Sequence, residues 1–315
     1  MRFVRAKFDK DGIDSIQVRQ LRRGEDALWR TCRCGEWPPD SPKFTGDVSF
    51  RPEAHLVAER AGRIVGRMES VLNEPYSAVL IDPIVCDGED VEEVSSVLID
   101  EGLCVARSID VAQIELILES YLPYLERLGA IVTKLGFRRR FEKALYVRDL
   151  ADFPQAASAR PLEFGTIADL GDAAASRVIG EVLKAPLNRF EMDVEPESMF
   201  QQLKDLCRRN GVFHPEDWLI AYQRGREVGI VMPALTELVT RRGTILFVGV
   251  IPEARGRGLG LALTVKGIQT IASRTPKALL DSTDLQNAPM RKIFKKLGYR
   301  LTAIQHYFEW HATGV

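Results

Sequence analysis

The residues with the clearest chemical potential form one short loop, Arg255-Gly256-Arg257-Gly258-Leu259-Gly260, between an apolar strand and a helix. Glycines in such a turn let successive backbone N–H groups point toward one place, which makes a binding site for an anion. The first N–H groups of the helix and the positive end of its dipole act in the same direction. Two arginines add positive charge, so the loop is predicted to hold a phosphate or pyrophosphate.

Two familiar phosphate-binding patterns do not fit this loop. The dinucleotide pattern G-x-G-x-x-G needs a third glycine where the chain has Leu261 or Leu263, depending on the starting glycine. A nucleotide-triphosphate loop ends in Gly-Lys-Ser/Thr, but Gly260 is followed by Leu261 and Ala262. The pattern that remains is Arg-x-x-Gly-x-Gly after a strand that ends in Val-x-Pro.

The elements around the loop predict a mixed α/β sheet. Apolar periodicity, β-branched runs and glycine turns indicate an order of two helices, a hairpin, and then strand, helix, strand, helix and strand. The predicted helices cover 166–184, 197–209, 260–273 and 288–297, and the predicted strands cover 218–222, 228–233, 244–251, 277–282 and 301–310.

The chain repeats itself. Residues 55–66 (HLVAERAGRIVG) match 218–229 (WLIAYQRGREVG) at an offset of 163, and 134–138 (KLGFR) match 296–300 (KLGYR) at an offset of 162. Two separated matches at nearly one offset indicate two copies of one fold. We therefore predict a first domain at 1–152, a linker at 153–161 that is rich in Ala, Ser and Pro, and a second domain at 162–315.

With the loop and the following segment together, the second copy resembles the GNAT acyltransferase superfamily. Arg255, Gly258 and Gly260 match that family's pyrophosphate loop. The family's second motif is matched by a segment that starts at Asn287, continues with Met290, Ile293 and Phe294, and closes with Leu297-Gly298-Tyr299. The resemblance implies two tandem GNAT-like domains, each a mixed, mostly antiparallel twisted sheet flanked by helices.

The resemblance also implies a co-substrate, acetyl-CoA or another acyl-CoA, and transfer of its acyl group to an amine of a small molecule or peptide. The pantetheine arm would lie along Val248, Gly249 and Val250, and a backbone N–H there would polarise the thioester carbonyl. The residues implied to contact the cofactor are Val248, Gly249, Val250, Arg255, Gly256, Arg257, Gly258, Leu259, Gly260, Leu261, Asn287 and Phe294. Asn287 could equally cap the helix at 288–297, and the two roles can coexist.

The identity of the residues that would act as general acid and general base stays open. Many family members carry a tyrosine seven residues after the Asn, where this chain has Phe294, which cannot donate a proton. The remaining candidates are Glu237, His214, Asp284 and Tyr299, with Glu237 and His214 acting through a water relay. Without a clear acid or base, an alternative is a non-catalytic acyl-CoA-binding or regulatory module.

Four acidic residues stand where this family's acceptor site is often lined, between the first two helices of the second copy: Glu191, Asp193, Glu195 and Glu197. They favour a cationic acceptor, although acids beside a helix start are also common as a solvated run that complements the helix dipole. In the first copy, Asp87, Glu89 and Asp90 replace the glycine–arginine loop. Those carboxylates would repel a pyrophosphate, so we expect the first domain not to bind coenzyme A in the family's way.

Composition excludes several other classes. The 43 Lys and Arg residues balance 44 Asp and Glu residues, for a formal net charge of −1, which argues against nucleic-acid binding. No apolar run approaches the length of a membrane span and the N-terminus has no signal-like segment, so we expect a cytoplasmic protein, as a monomer or homodimer. Five scattered cysteines predict reduced thiols rather than a disulfide framework, and their spacing predicts no metal site.

Overall fold

The computed structural model describes residues 15–22, 24–25, 29, 32, 55–73, 77–108, 113–150, 162–192, 194–235 and 242–310. Contacts within this part of the chain define two compact units. Unit 1 contains the described residues up to 143 together with 303–310, and unit 2 contains residues 144–302. No helix among the described residues combines the length and apolarity needed to cross a lipid bilayer.

Unit 1 is a mixed sheet whose core packs against a long helix. Its strands follow the order β1-β2-β3-β4-β5-β12, antiparallel except for the parallel pair β4–β5. The elements are β1 (Gln17–Gln20), β2 (His55–Arg60), β3 (Arg63–Asn73), β4 (Ser77–Val85), α1 (Val91–Ser108), β5 (Gln113–Glu119), α2 (Leu125–Lys134) and β6 (Phe137–Asp149). Helix α1 places Val94, Leu98 and Ile99 in the main apolar core, each fully buried.

Unit 2 repeats this plan and adds helices at its start. From the end of β6 its strands follow the order β6-β11-β10-β9-β8-β7, with β10–β11 parallel and β7 to β10 antiparallel. The elements are β7 (Glu163–Thr166), α3 (Ile167–Leu170), α4 (Asp172–Leu183), α5 (Pro196–Arg209), β8 (Leu219–Gln223), β9 (Arg226–Leu235), β10 (Arg242–Val250), α6 (Leu259–Ala272), β11 (Ala278–Asp284), α7 (Ala288–Lys296) and β12 (Arg300–Trp310). The predicted fold class is confirmed. The helix predicted at 166–184 is divided at Gly171, whose φ of 82° does not continue a helix.

The two units are not separated by a single domain boundary in the sequence. Residues 303–310 of β12 belong to unit 1, where β12 pairs with β5 from Gln305↔Glu119 to Trp310↔Ile114. Residues 144–149 of β6 belong to unit 2, beside β11. Unit 1 thus contains most of the last strand of the second copy, and unit 2 contains the end of the last strand of the first copy. Hydrophobic periodicity in the sequence cannot reveal this exchange. The predicted linker at 153–161 lies outside the described residues, and the predicted boundaries stay a prediction.

The repeated residues form the same turns and the same helix ends in both copies. The hairpin turns place Ala61 and Gly62 at φ of 48° and 77°, and Arg224 and Gly225 at 53° and 71°. Two consecutive positive φ values give the turn whose twist matches antiparallel strands. After helices α2 and α7, Gly136 and Gly298 adopt φ of 91° and 74°, which is the usual glycine stop of a helix.

A second repeated glycine allows a helix to approach the sheet closely. A Cβ at Gly66 would overlap the side chain of Val94 on α1. A Cβ at Gly229 would overlap the carbonyl oxygen of Gly249 and lie 2.8 Å from Leu263 on α6. Gly249 is itself needed for packing, because its Cβ would overlap the side chain of Val182 on α4.

Gly229→Ala is expected to lower the free energy of unfolding by about 3 kcal/mol, because a backbone carbonyl cannot move aside as a flexible side chain can. Gly180→Ala is the matched control within α4, where the added methyl would only touch Pro196 at 3.4 Å. Gly180→Ala should raise the free energy of unfolding by up to about 1 kcal/mol, because alanine has a higher helix propensity than glycine. Urea denaturation measures both, and equal effects of the two substitutions would contradict the packing account.

A buried carboxylate bridges the two central parallel strands in each unit. In unit 1, Asp82 has φ of 41° and accepts hydrogen bonds from the backbone N–H of Glu119 at 2.8 Å and from the Tyr121 hydroxyl at 2.7 Å. In unit 2, Asp281 accepts from the N–H of Ile245 at 2.6 Å and from the Tyr299 hydroxyl at 2.6 Å. Each bridge stands where the strands stop pairing directly, so it holds them apart at a fixed separation.

The unit 1 bridge makes stability depend on pH. Burial, together with the neighbouring Glu119 carboxylate, raises the pKa of Asp82 to about 7. The contribution of protonated Asp82 to the free energy of unfolding is therefore complete at low pH and is lost as pH rises through about 7. We expect the free energy of unfolding to fall between about pH 4 and pH 7 by at most about 1.4 kcal/mol per pH unit from this group, and to level off above pH 7. Asp82→Asn should remove that slope in urea titrations, while the exposed Asp87→Asn should keep it. Parallel slopes in all three proteins would disprove the assignment.

One cysteine prediction is wrong. The structure joins Cys32 and Cys86 in a disulfide, with Cα atoms 5.3 Å apart and a sequence separation of 54. Spacing along the chain could not indicate this pairing, because the fold brings the two segments together. Cys104 and Cys207 are free, and Cys34 lies outside the described residues.

Candidate functional site

A cleft of about 420 Å³ opens in unit 2 at the junction between β10 and α6. Its walls come from the end of β10, the turn that follows, the first residues of α6, and one face of α7. Ten of the twelve residues predicted to contact a cofactor line it: Val248, Gly249, Val250, Arg255, Gly256, Gly258, Leu259, Gly260, Leu261 and Asn287. The other two, Arg257 and Phe294, do not.

The turn before α6 has the geometry of an anion cradle. Gly256 and Gly258 adopt φ of 75° and 76°, and no atom lies within 4 Å of the position a Cβ would occupy on Gly256. Gly258 is the N-cap of α6 and offers no side chain to its N–H groups, and the first turn contains no acidic residue. The first N–H groups of a helix have no partner within it, so those at Leu259, Gly260 and Leu261 are directed at the cleft end of the turn.

Arg255 has a different role from the one its sequence position predicts. Its guanidinium donates to three backbone carbonyls, those of Val250 at 2.9 Å, Ala185 at 2.7 Å and Val182 at 3.1 Å. Burial lowers the pKa of this guanidinium, and the Glu191 carboxylate acts in the opposite direction. Arg255 therefore connects the end of α4 to the end of β10. Its positive charge is fixed in the wall of the cleft, and its guanidinium is not a mobile phosphate ligand.

Asn287 combines the two roles that the sequence left open. Its side-chain oxygen accepts from the N–H of Met290 at 3.1 Å, which caps α7, and its amide nitrogen donates to Asn188 at 2.8 Å. The Asn188 oxygen also accepts from the Thr283 hydroxyl at 3.1 Å. Through these bonds, the start of α7 is tied to the segment between α4 and α5 on the wall of the cleft.

Two predicted site residues belong to the core instead. Phe294 is 1% exposed and packs between Tyr146 and Tyr299, with ring centroids 4.8 and 4.7 Å apart. The Tyr299 hydroxyl is committed to Asp281, and burial beside that carboxylate raises the pKa of Tyr299 far above its ordinary value. Phe294 thus replaces a hydroxyl-bearing side chain in an apolar stack, and Tyr299 is held as a neutral structural donor.

Asp284 is a fixed carboxylate. Arg189 holds it with two guanidinium hydrogen bonds, at 2.9 and 3.0 Å, and with its backbone N–H at 2.9 Å. Burial alone would raise the pKa of this carboxyl, but these bonds and one from the N–H of Gln286 lower it below its ordinary value. A carboxylate so stabilised is a poor proton carrier, and it serves to position the segment that follows α4.

The remaining predicted groups do not lie in the cleft or cannot be placed. His214 lies before β8, with Nδ1 3.2 Å from a Glu216 carboxylate oxygen, and does not line the cleft. Arg257 is exposed and donates to the carbonyl of Glu253 at 3.1 Å. Glu237 lies outside the described residues.

Glu191 is the carboxylate that the structure places in the cleft. Among the described lining residues it alone carries a carboxyl group, it is 8% exposed, and its Oε1 accepts from the side-chain amide of Asn188 at 2.7 Å. Sequence reasoning grouped it with Asp193, Glu195 and Glu197, of which the second and third are exposed and the first lies outside the described residues. Only three-dimensional burial separates Glu191 from its neighbours.

The matching junction in unit 1 has the opposite chemistry. The carboxylate of Asp90 accepts from the N–H of Glu93 at 2.8 Å and so caps α1. Glu89 forms ion pairs with Arg60, at 2.9 Å, and with Arg63. A carboxylate already occupies the helix start where unit 2 presents free N–H groups, so this junction is built against an incoming anion.

Comparison with known proteins agrees with the fold. A family model described as FR47-like protein matches residues 227–309. A GCN5-related N-acetyltransferase from Sphaerobacter thermophilus superposes with a TM-score of 0.61 at 17% identity, over 83% of this chain and 82% of that one. A tandem GNAT protein from the clavulanic acid biosynthesis pathway superposes with a TM-score of 0.56 at 17% identity, over 95% of this chain and 99% of that one. The chain has the GNAT fold and is similar to GNAT proteins.

Curated relatives of this chain include a mycothiol acetyltransferase from Acidothermus cellulolyticus, 27% identical over 196 residues. That alignment covers 57% of this chain and 58% of the relative. Two further mycothiol acetyltransferases are matched over 18% and 40% of their length. The resemblance to GNAT proteins that the glycine loop and the Asn287 segment predict is confirmed.

Proposed function

We propose that this GNAT chain transfers an acetyl group from acetyl-CoA to an amine, with the cleft of unit 2 as its active site. The observation that carries the proposal is the uncapped start of α6, whose N–H groups face an open glycine turn at the end of an apolar strand. Its relatives are named acetyltransferases, which supports the same reaction class here. A cytoplasmic location and a monomeric or homodimeric state stay predictions.

The cleft walls fit the two chemically different parts of coenzyme A. The pyrophosphate would accept from the N–H groups of the turn and of the first residues of α6, with a positive dipole end behind them. The direct ladder between β10 and β11 covers only Arg242↔Ala278 and Gly243↔Leu279, so the edge of β10 at Val248 to Val250 is exposed to the cleft. Backbone groups on that edge would hold the pantetheine amides, and an N–H would stabilise the developing oxyanion, worth about 3–4 kcal/mol in comparable sites.

In the reaction, the amine nitrogen forms a bond to the acetyl carbonyl carbon as the carbon–sulfur bond of the thioester breaks. The amine loses one proton and the departing thiolate takes up one. Glu191 is the described carboxylate able to receive the amine proton, directly or through one water, because it lines the cleft and is held by Asn188. Its negative charge would also favour a protonated amine as the approaching acceptor.

The decisive experiment is calorimetric titration of acetyl-CoA into the intact protein, followed by a thiol-release assay with a panel of amines. One site per chain and amine-dependent thiol release would support the proposal. The acceptor of the related mycothiol acetyltransferases belongs in the first panel. Two sites would overturn the account of the acidic junction in unit 1, and the absence of binding would overturn the proposal itself.

A non-catalytic acyl-CoA-binding module is the second candidate. It is favoured by the loss of a tyrosine at Phe294 and by the commitment of Tyr299 and Asp284 to structural bonds. Such a protein would bind acetyl-CoA with one site and release no thiol with any amine, so the same two measurements separate it from the enzyme.

A further inference from the structure

Helix α7 borders a second cavity, of about 410 Å³, on the face opposite the cleft. The cleft is lined from α7 by Pro289, Met290 and Ile293. The second cavity is lined by Ala288, Arg291, Lys292 and Lys295 of α7, together with Tyr146 and Leu301. The two cavities share no lining residue, so a ligand in one does not need to displace a ligand in the other.

The second cavity is strongly positive. From Ala288 to Arg300 the sequence contains five Lys or Arg residues and no acidic residue. Within the part of the chain that the structure describes, Lys292 and Lys295 are exposed and form no ion pair with a carboxylate. Three cationic side chains thus converge on one concave surface without compensation.

Ordinary helix electrostatics explains only part of this charge. Basic residues favour the last turn of a helix, where Lys295 and Lys296 stand. Arg291 and Lys292 are the fourth and fifth residues of the nine-residue α7, outside its last turn, so the helix dipole gives no reason for a cation there. Their presence beside the cavity needs another reason, and a bound anion supplies one.

Arg291 is held in a defined position. Its Nε donates to the Tyr146 hydroxyl at 3.4 Å and its Nη1 donates to the carbonyl of Leu285 at 3.1 Å. Tyr299, which also lines the cavity, is fixed by its bond to Asp281. The cavity therefore has a rigid floor and one preorganised guanidinium, with two flexible lysines at its rim.

We propose that this cavity binds a small phosphorylated molecule. Three cations match a phosphate dianion better than a single carboxylate, and a guanidinium with two free-moving ammonium groups is a common phosphate-binding set. The methyl of Ala288, the side chain of Leu301 and the ring of Tyr146 offer apolar contact to the body of the ligand. The site lies in unit 2 but does not depend on the proposed acetyl transfer.

The phosphate could belong to a separate molecule or to coenzyme A itself, and the test distinguishes these sources. Inorganic pyrophosphate is the probe, titrated calorimetrically into the Leu261→Asp protein, whose cleft carries an added negative charge. Binding there reports the second cavity alone. The titration is repeated at saturating acetyl-CoA with the unaltered chain. We expect binding in both, weakening as salt is raised.

The test variant is the double substitution Lys292→Gln and Lys295→Gln. The control is Lys296→Gln, which removes a charge from the same helix at a residue that does not line the cavity. The double variant should lose about tenfold or more in pyrophosphate affinity, and the control should change by less than about twofold. Equal thermal midpoints would show that all remain folded. No binding, an equal loss in the control, or full competition by acetyl-CoA would each overturn a separate phosphate site.

Discussion

Leu261→Asp is expected to weaken acetyl-CoA binding by about 10- to 100-fold while leaving the protein as stable as before or slightly more so. Leu261 is the third residue of α6 after its N-cap and lines the cleft. A carboxylate there interacts favourably with the helix dipole and with free N–H groups. The same carboxylate would occupy the place proposed for the pyrophosphate and repel it.

Leu261→Asn is the matched control, since it has the same shape as aspartate without the charge. Calorimetry of acetyl-CoA binding and urea denaturation should be run on both variants. The expected pattern is a large binding loss for aspartate, a small one for asparagine, and no loss of stability for aspartate. If the two variants bind equally well, the pyrophosphate does not sit at this helix start.

What the sequence could predict was local. The glycine turn, the strand before it and the helix after it follow from residue types that permit one backbone path, and the repeat shows the same turns twice. Ten of the twelve predicted contact residues are close in sequence, within 248–261, and nine of these ten line one cleft. Positions where the backbone itself is proposed to bind can be predicted in this way, because glycine marks them.

What the sequence could not predict depends on contacts between distant segments. Arg255 looks like a phosphate ligand until its three carbonyl partners at Val182, Ala185 and Val250 are seen. Tyr299 looks available until Asp281 is found beside it. Glu191 cannot be told from the exposed acids around it until the fold buries it. The exchange of last strands between the copies is likewise a long-range pairing.

The two copies show how one scaffold can gain or lose a site. Both have the same hairpin, the same glycine contact between sheet and helix, and a carboxylate bridge between central strands. They differ at the helix start, where unit 1 supplies its own carboxylate from Asp90 and the α6 helix of unit 2 has no side-chain cap. The two units therefore share their packing, while a few side chains give their helix starts opposite charge.

Glu191→Gln is expected to lower kcat/KM for the amine by about 100-fold or more, within the range for loss of a general base. Glutamine keeps the length of the side chain and an oxygen that can accept from Asn188, so the walls of the cleft should stay in place. The affinity for acetyl-CoA should change little. The acid side of the pH profile of kcat/KM should flatten, because the group that must lose its proton is gone.

Glu195→Gln is the control, as an exposed carboxylate of the same segment outside the cleft, and it should leave turnover unchanged. A structural role for Glu191 gives a different pattern. If Glu191 only balances the charge of Arg255, its loss should weaken acetyl-CoA binding and lower the free energy of unfolding, since Arg255 fastens α4 to β10. An unchanged pH profile together with weaker acetyl-CoA binding would therefore assign Glu191 to the wall of the cleft and leave the amine proton to another group.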